Sequence, residues 1–400
     1  MQPQRRRSGA HFTALHLVQP VDGGVARVVL DLVEAQVEAG VRVAVACPGE
    51  GPLAEAAARL GAEVHGWRAT RDPGPGLVRE VGQAARVVRR VRPDLVHAHS
   101  AKAGLAGRLA VRGRVPTVFQ PHAWSFEAVG GVTGRLAGHW ERWAVRWTDR
   151  VVCVSDAERR TGERAGIHAS WSVVHNGVDV GRFGSGDGPS GSADPESTTA
   201  ARAALPPLAA LPPGTPVVLC VGRLCRQKGQ DILLRAWRQI LLQLPRGRLV
   251  LVGDGPDADA LRAAAPPSVL FAGAVPDTAP WYRAADLVVL PSRWEGMAVA
   301  PLEAMASGRA VVLSDVDGAR ESLPPGHEAL CLVPPEDPPA LAAAIGALLR
   351  DAPLREAIGR QGHQHVLSTY DIRRTARAIA DVYREVASVP RPELREPIPQ

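Results

Sequence analysis

Val217-Val218-Leu219-Cys220-Val221-Gly222-Arg223-Leu224-Cys225-Arg226-Gln227-Lys228-Gly229 is the stretch on which the fold turns. Its first five residues are apolar and stop at a glycine, as in a buried strand. An amphipathic helical pattern follows Gly229. A strand, a short loop and a helix in that order open a crossover unit, and crossovers join parallel strands. The loop sets two cations between glycines. An arginine can fork two oxygens, a lysine supplies a mobile point charge, and the helix N-terminus adds free N–H donors, so the segment has the outline of a diphosphate clamp. An isolated Arg-x4-Lys pair reads as a solvated turn. Here Lys228 is one of only two lysines, with Lys102, in a chain that otherwise uses arginine for positive charge. An ammonium in this loop therefore points to a chemical need.

Outward from this unit the pattern repeats. Further strands are expected at residues 249–252, 269–271, 287–290, 310–313 and 330–333. Towards the N-terminus they are expected at 12–18, 41–46, 95–97, 117–119, 151–154 and 172–174. Helical patterns lie between, such as Val25, Val28, Val29, Leu32 and Val33. From 184 to 216 the composition shifts to Gly, Ser, Pro and Ala, as in a linker. The expected layout is an α/β chain with two doubly wound, Rossmann-like domains. Residues 1–180 form the first domain, 181–215 a flexible linker, and 216–368 the second domain, which carries the cation loop. Residues 369–400 hold a helix that packs back on the first domain and a Pro-rich tail. Ligands of such sheets bind beyond the strand carboxyl ends, so the site is expected in the cleft between the two domains.

Composition narrows the function. With 400 residues there is enough chain for two cores, and 46% apolar with 4% aromatic residues means cores of Ala, Val and Leu. A formal charge of +6, spread as arginine along helices, does not suggest nucleic acid binding. Five scattered cysteines, 47, 153, 220, 225 and 331, have neither metal nor redox spacing and fit a reducing cytoplasm. The start, with its Arg cluster, reads as a first strand and not as a signal peptide. No window has the ~20 apolar residues of a membrane span, so any membrane contact is expected to be peripheral.

A second motif runs from Pro291 to Ala306 directly behind the 287–290 strand. Pro301 suits the first turn of a helix, which puts Glu303 near its N-terminus and Glu295 in the preceding loop. The two carboxylates thus sit at different heights on one connection. Each can accept hydroxyl hydrogen bonds, Glu303 from a ribose and Glu295 from a sugar, while N–H groups at Gly296 and Met297 face a charged part. Read alone, Glu303 could equally be a favourable helix-start acid and Glu295 a surface residue.

Together, Gly222-Arg223-Leu224-x3-Lys228-Gly229 and Glu295-x7-Glu303 resemble the retaining glycosyltransferases of family 4 over nearly the whole chain. The resemblance implies a GT-B fold and a glycosyltransferase of the hexosyltransferase type. It also implies a nucleotide-sugar donor, UDP-linked by analogy, with neither cofactor nor catalytic metal. By resemblance, Arg223 and Lys228 bind the donor diphosphate, Glu303 the ribose and Glu295 the transferred sugar. Gly296, Met297 and Ala298 lie along the donor, Gly23-Gly24 matches a loop near the phosphates, and His122 in Gln120-Pro121-His122-Ala123-Trp124 matches a histidine facing the donor sugar. Asn176-Gly177-Val178-Asp179 matches the linker entry. Departures are Met297, where an aromatic is common, and Asp317-Gly318 in place of Gly-Gly before Glu321.

Other signals are weaker. Gly253-Asp254-Gly255 lacks the third glycine of a dinucleotide fingerprint and is read as a base-side loop of the nucleotide pocket. His97-x-His99 and His363-x-His365 lack metal partners at useful spacing and read as structural. His99 and Lys102, behind a strand, are candidates for the acceptor side, Lys102 for an anionic acceptor. Trp140, Trp143 and Trp147 at helical spacing read as packing in preference to a membrane face. The acceptor is expected to be a sugar, glycolipid or small molecule. Competing readings are a sugar-nucleotide epimerase of the same architecture, a non-catalytic sugar-nucleotide-binding regulator and, furthest, a nicotinamide oxidoreductase.

Overall fold

The computed structural model describes residues 12–49, 51–71, 74–184 and 195–388. The N-terminal Arg cluster, residues 185–194 of the expected linker and the Pro-rich tail lie outside the described residues.

Two parallel sheets organise the chain. The first holds β1 (Thr13–Val18), β2 (Arg42–Cys47), β3 (Glu63–Gly66), β4 (Leu95–His99), β5 (Thr117–Gln120), β6 (Arg150–Cys153) and β7 (Trp171–Val173), in the order β3-β2-β1-β4-β5-β6-β7. The second holds β8 (Val217–Val221), β9 (Arg248–Val252), β10 (Val269–Gly273), β11 (Leu287–Leu290), β12 (Ala310–Ser314) and β13 (Leu332–Val333), in the order β10-β9-β8-β11-β12-β13. Interior strands are continuous apolar runs because helices cover both faces of each sheet. Strand order reverses between β1 and β4 in one sheet and between β8 and β11 in the other. Each reversal opens a crevice at the strand carboxyl ends.

Two strands differ from expectation. β3 was not foreseen: Glu-Val-His-Gly at the sheet edge is only half-buried and carries no apolar run. At 330–333 only Leu332–Val333 pairs, since Glu328–Cys331 forms a helical turn.

The described part of the expected flexible linker is ordered. Helix Pro195–Ala203 docks on the second half through Arg202. That side chain reaches Asp286 at 2.7 Å, the Ala284 carbonyl at 2.9 Å and the Thr215 carbonyl at 3.1 Å. Thr198 Oγ1 also accepts from Arg309 at 3.1 Å and Ala201 packs on the second core, so a Ser/Thr/Ala-rich segment is held by links that composition does not reveal.

The chain crosses between the halves twice, and the two crossings lie side by side. Val178 N–H donates to the Tyr370 carbonyl (2.8 Å) and Ile372 N–H to the Val178 carbonyl (3.1 Å). Gly177 is needed there, because a Cβ would stand 2.7 Å from Ile372 Cα. Beyond the second crossing, helix Ile372–Ser388 lies on the first sheet, with Ile379, Val382 and Val386 packed against Ala14, Leu32, Leu95 and Val152.

Candidate active site

Both reversal points face the same cleft, and the second sheet supplies its charged side. After β8, Gly222–Leu224 lead into a turn at Arg226–Lys228, and Gly229 starts helix Gln230–Gln243. Gly229 has φ +69°, and a Cβ on it would lie 2.1 Å from the Pro291 carbonyl oxygen. The loops after β8 and β11 are therefore in contact. Lys228 Nζ is 2.5 Å from Glu295 Oε1, which also accepts from Ser292 Oγ at 2.7 Å. Among the described residues the Arg223 guanidinium has no acidic partner. The loop after β9 closes on the same segment: Leu224 N–H donates to the Asp254 carbonyl at 2.9 Å. Gly253 and Gly255 permit it, since Cβ atoms there would meet Gly222 O at 2.1 Å and Leu224 O at 2.3 Å.

Glu303 lies on helix Val299–Ala306, with Pro301 in its first turn as expected and Glu303 just beyond that turn. Burial raises its carboxyl, while the Tyr282 hydroxyl, donating to Oε2 at 2.7 Å, and Arg27 pull it down. Ala298 caps this helix and Met297 is buried beside it.

From the other half, Gly23 and Gly24 begin helix Gly23–Glu38, which has neither a side-chain cap nor an acid in its first turn. Its N-terminus keeps free donors and partial positive charge. Gly24 comes close to Val299, where a Cβ would stand 3.8 Å from Cγ2.

His122 and Ala123 carry positive φ angles of 55° and 88°, costly for residues with a Cβ. Glu158 holds them there. Its carboxylate accepts the Ala123 N–H at 2.6 Å and the Val154 N–H at 2.7 Å. Burial lifts Glu158 to about 7 against those two donors. Gly296 lies against it, and a Cβ would stand 2.6 Å from Glu158 Oε1. The halves are tied here by Ser155 Oγ to Gly296 O and Asn176 Nδ2 to Met297 O, both 2.7 Å. Glu321 accepts the Asp156 and Ala157 N–H groups at 2.8 Å each, capping helix Asp156–Arg164 from the opposite half. Asp317, one of the departures from the family pattern, accepts from Thr161 Oγ1 at 2.6 Å.

Two expectations fail. Lys102 does not meet an acceptor: it is buried, its ammonium 2.8 Å from Glu80, because the first turn of helix Ser100–Val111 faces helix Leu77–Val91. His99 has no exposed surface and lies behind His122, bonded to it and to His16. One donor nitrogen each from His16, His97 and His99 falls within 4.8 Å of the others, close enough for one ion, yet these rings already bond to one another and to their neighbours. His363 is structural: its Nδ1 donates to the Ala306 carbonyl at 2.7 Å.

Tyr282 and Glu158 were missed: each acts through a residue distant in sequence, and neither stands in a motif. Ser292, three before Glu295, and Asn176, in the segment matched to the linker entry, sat inside stretches already singled out, but neither side chain was given a role in the cleft.

The geometry can now be set beside known proteins. Residues 22–182 match the model described as Glycosyltransferase Family 4, and residues 215–351 match that described as Glycosyl transferases group 1. The chain is 33% identical over 255 residues to the lipopolysaccharide core biosynthesis mannosyltransferase LpcC of Rhizobium leguminosarum bv. viciae, covering 61% of this chain and 67% of that protein. It is 33% identical over 320 residues to D-inositol 3-phosphate glycosyltransferase 2 of Catenulispora acidiphila, covering 72% and 70%. Among solved structures, Anabaena Alr3699/HepE in complex with UDP and glucose superposes with a TM-score of 0.78 at 23% identity, over 95% of this chain and 100% of that one. The chain belongs to glycosyltransferase family 4, and it is a glycosyltransferase of GT-B fold.

Proposed function

We propose that this enzyme transfers a sugar, with retention at the anomeric carbon, from a UDP-sugar to a hydroxyl of a sugar or glycolipid acceptor, without a metal. The observation that carries the reading is the loop after β8. It offers Arg223, a cation with no acidic partner among the described residues, and Lys228, at a strand-order reversal where a helix N-terminus also points. Arg223 and Lys228 grip the diphosphate, with Gly222 and the Gly23-Gly24 helix start close to its oxygens. Glu303 holds the ribose, and Gly253 and Gly255 let the base-side loop form. Glu295 and His122 hold the transferred sugar, beside Gly296, Met297 and Ala298.

As the bond between the anomeric carbon and the β-phosphate oxygen breaks, its electron pair stays on the phosphate. The acceptor oxygen bonds to the same face of the carbon, and its proton passes to the leaving phosphate. Fixed cations at that phosphate lower the barrier as charge develops. The UDP complex of the Anabaena structure supports the donor, and the relatives' names, a lipopolysaccharide core biosynthesis mannosyltransferase and a D-inositol 3-phosphate glycosyltransferase, support glycosyl transfer to a hydroxyl-bearing acceptor. Family membership sets aside the epimerase, oxidoreductase and binding-regulator readings.

The test is release of UDP from UDP-sugars, with GDP-mannose as the competing donor. Lys228→Ala loses a charge-assisted contact strengthened in the transition state, worth roughly 1.5–3 kcal/mol, so turnover falls at least about tenfold. Wild-type turnover and donor affinity in that variant refute the clamp.

Among the described residues no helix is long and apolar enough to cross a membrane. Helix Gly131–Ala144 nevertheless exposes Val132 (71%), Leu136 (63%) and Trp143 (41%) in one stripe beside exposed Arg135, Arg142 and Arg146. Apolar side chains flanked by arginines suit an anionic lipid surface. The chain is expected to float with phosphatidylglycerol vesicles, and the Leu136→Ser, Trp143→Ser variant to stay behind. Equal flotation of both rejects this contact.

A further inference from the structure

A row of side chains runs from the interior of the first half to the cleft. Gln36 Oε1 is 2.9 Å from His16 Nε2, His16 Nδ1 is 2.9 Å from His99 Nε2, and His99 Nδ1 is 3.2 Å from His122 Nε2. The ring planes lie within 19° and 24° of parallel with centroids 5.2 and 5.5 Å apart, so the rings meet edge to edge. Burial holds His16 down to about 4, His122 down to about 3 and His99 well below the usual histidine value. Each ring is therefore neutral at neutral pH and carries one proton.

A neutral imidazole donates at one nitrogen and accepts at the other. Three in series have only two proton orders, and the ends select between them. Gln36 Oε1 can only accept, so His16 carries its proton on Nε2. The Gln36 amide also interacts with the buried Tyr383 hydroxyl, which lies 2.7 Å from His97 Nδ1. The order then propagates: His99 donates from Nε2 to His16, and His122 donates from Nε2 to His99. The open end is the Nδ1 lone pair of His122, which has no partner among the described residues.

We propose that Gln36, His16 and His99 are positioning residues that fix the tautomer of His122, so that its bare Nδ1 accepts a hydrogen bond from a hydroxyl of the transferred sugar. This rests on the reading above that His122 faces that sugar. A neutral acceptor suits a sugar ring that becomes positive in the transition state, whereas an imidazolium would oppose that charge.

Long-range proton–nitrogen correlation on the 15N-labelled full chain reads ring tautomers directly. In the wild type at pH 7, His122 is expected with a proton on Nε2 and a bare Nδ1 that shifts on adding the tightest-binding UDP-sugar but not on adding UDP. Gln36→Met keeps side-chain length and removes the acceptor. It is expected to give mixed tautomers at His122 and to weaken UDP-sugar binding roughly tenfold, with UDP affinity within about twofold. A wild-type His122 with its proton on Nδ1, or charged, overturns the proposal, and that measurement needs no variant. So does Gln36→Met with unchanged tautomer, whatever its stability, which assigns the row to structure alone. Stoichiometric shifts of the His16, His97 and His99 rings on adding zinc chloride also overturn it and make the cluster a metal site. If His122→Ala binds the UDP-sugar as well as wild type while the wild-type tautomer is as stated, the sugar contact fails and the proton order stands.

Discussion

Glu303 and Lys228 show how much of a site a single side chain can carry. Tyr282 is fully buried and spends its hydroxyl on one oxygen of Glu303; in the proposed function the other oxygen accepts from a ribose hydroxyl. Tyr282→Phe removes that anchor, so UDP binding by calorimetry is expected to weaken by roughly three- to tenfold, one lost hydrogen bond. The loss should be smaller for 2′,3′-dideoxy-UDP, which has no ribose hydroxyls to present. Equal losses for both nucleotides would remove the ribose role. Lys228 stands out in the sequence because lysine is so rare in this chain and because the loop around it has glycines at both ends, and the structure brings it to Glu295 of the second motif. Lys102, the other lysine, was misread for the same reason. Its partner Glu80 sits on a neighbouring helix, and ion pairs across helices leave no local signature. The histidine row was half-visible: His97-x-His99 has the period of one strand face, but His16 joins it only because β1 and β4 are neighbours in the sheet.

At the scale of elements, the loop behind β5 depends on a helix further along the chain. Glu158, in the first turn of helix Asp156–Arg164, anchors the strained His122-Ala123 backbone. Its proton is linked to folding. An unfolded glutamate ionises near 4.5, while burial lifts Glu158 to about 7 in the fold. Between these values the folded protein holds a proton that the unfolded chain has released, so this group's contribution to stability falls as pH rises through that window. Urea titrations should therefore show wild type minus Glu158→Gln larger at pH 5 than at pH 8. A larger difference at pH 8 contradicts the assignment. Interior strands were legible as apolar runs such as Val217–Val221, and a cation loop behind a strand announced its helix. The short edge strand β3 and the docked helix Pro195–Ala203 were not, because an edge strand buries little and the helix is held by contacts of Arg202, Thr198 and Ala201 with residues distant in sequence.

Across the whole molecule, two sheets with the same order reversal face one another, and the chain is pinned where it crosses twice between them. That arrangement sets the glycine-started helix of one half beside Val299, at the start of helix Val299–Ala306 of the other. Glu321, Asn176 and Ser155 join the halves around it. The architecture was legible from repeated strand and helix patterns. The contacts that close the cleft were not, since each pairs residues more than a hundred positions apart. The most direct measurement is a crystal structure with UDP bound. The account predicts both phosphates within hydrogen-bond reach of Arg223 and Lys228, with the ribose on Glu303. Phosphates bound away from the loop that follows β8 would contradict it.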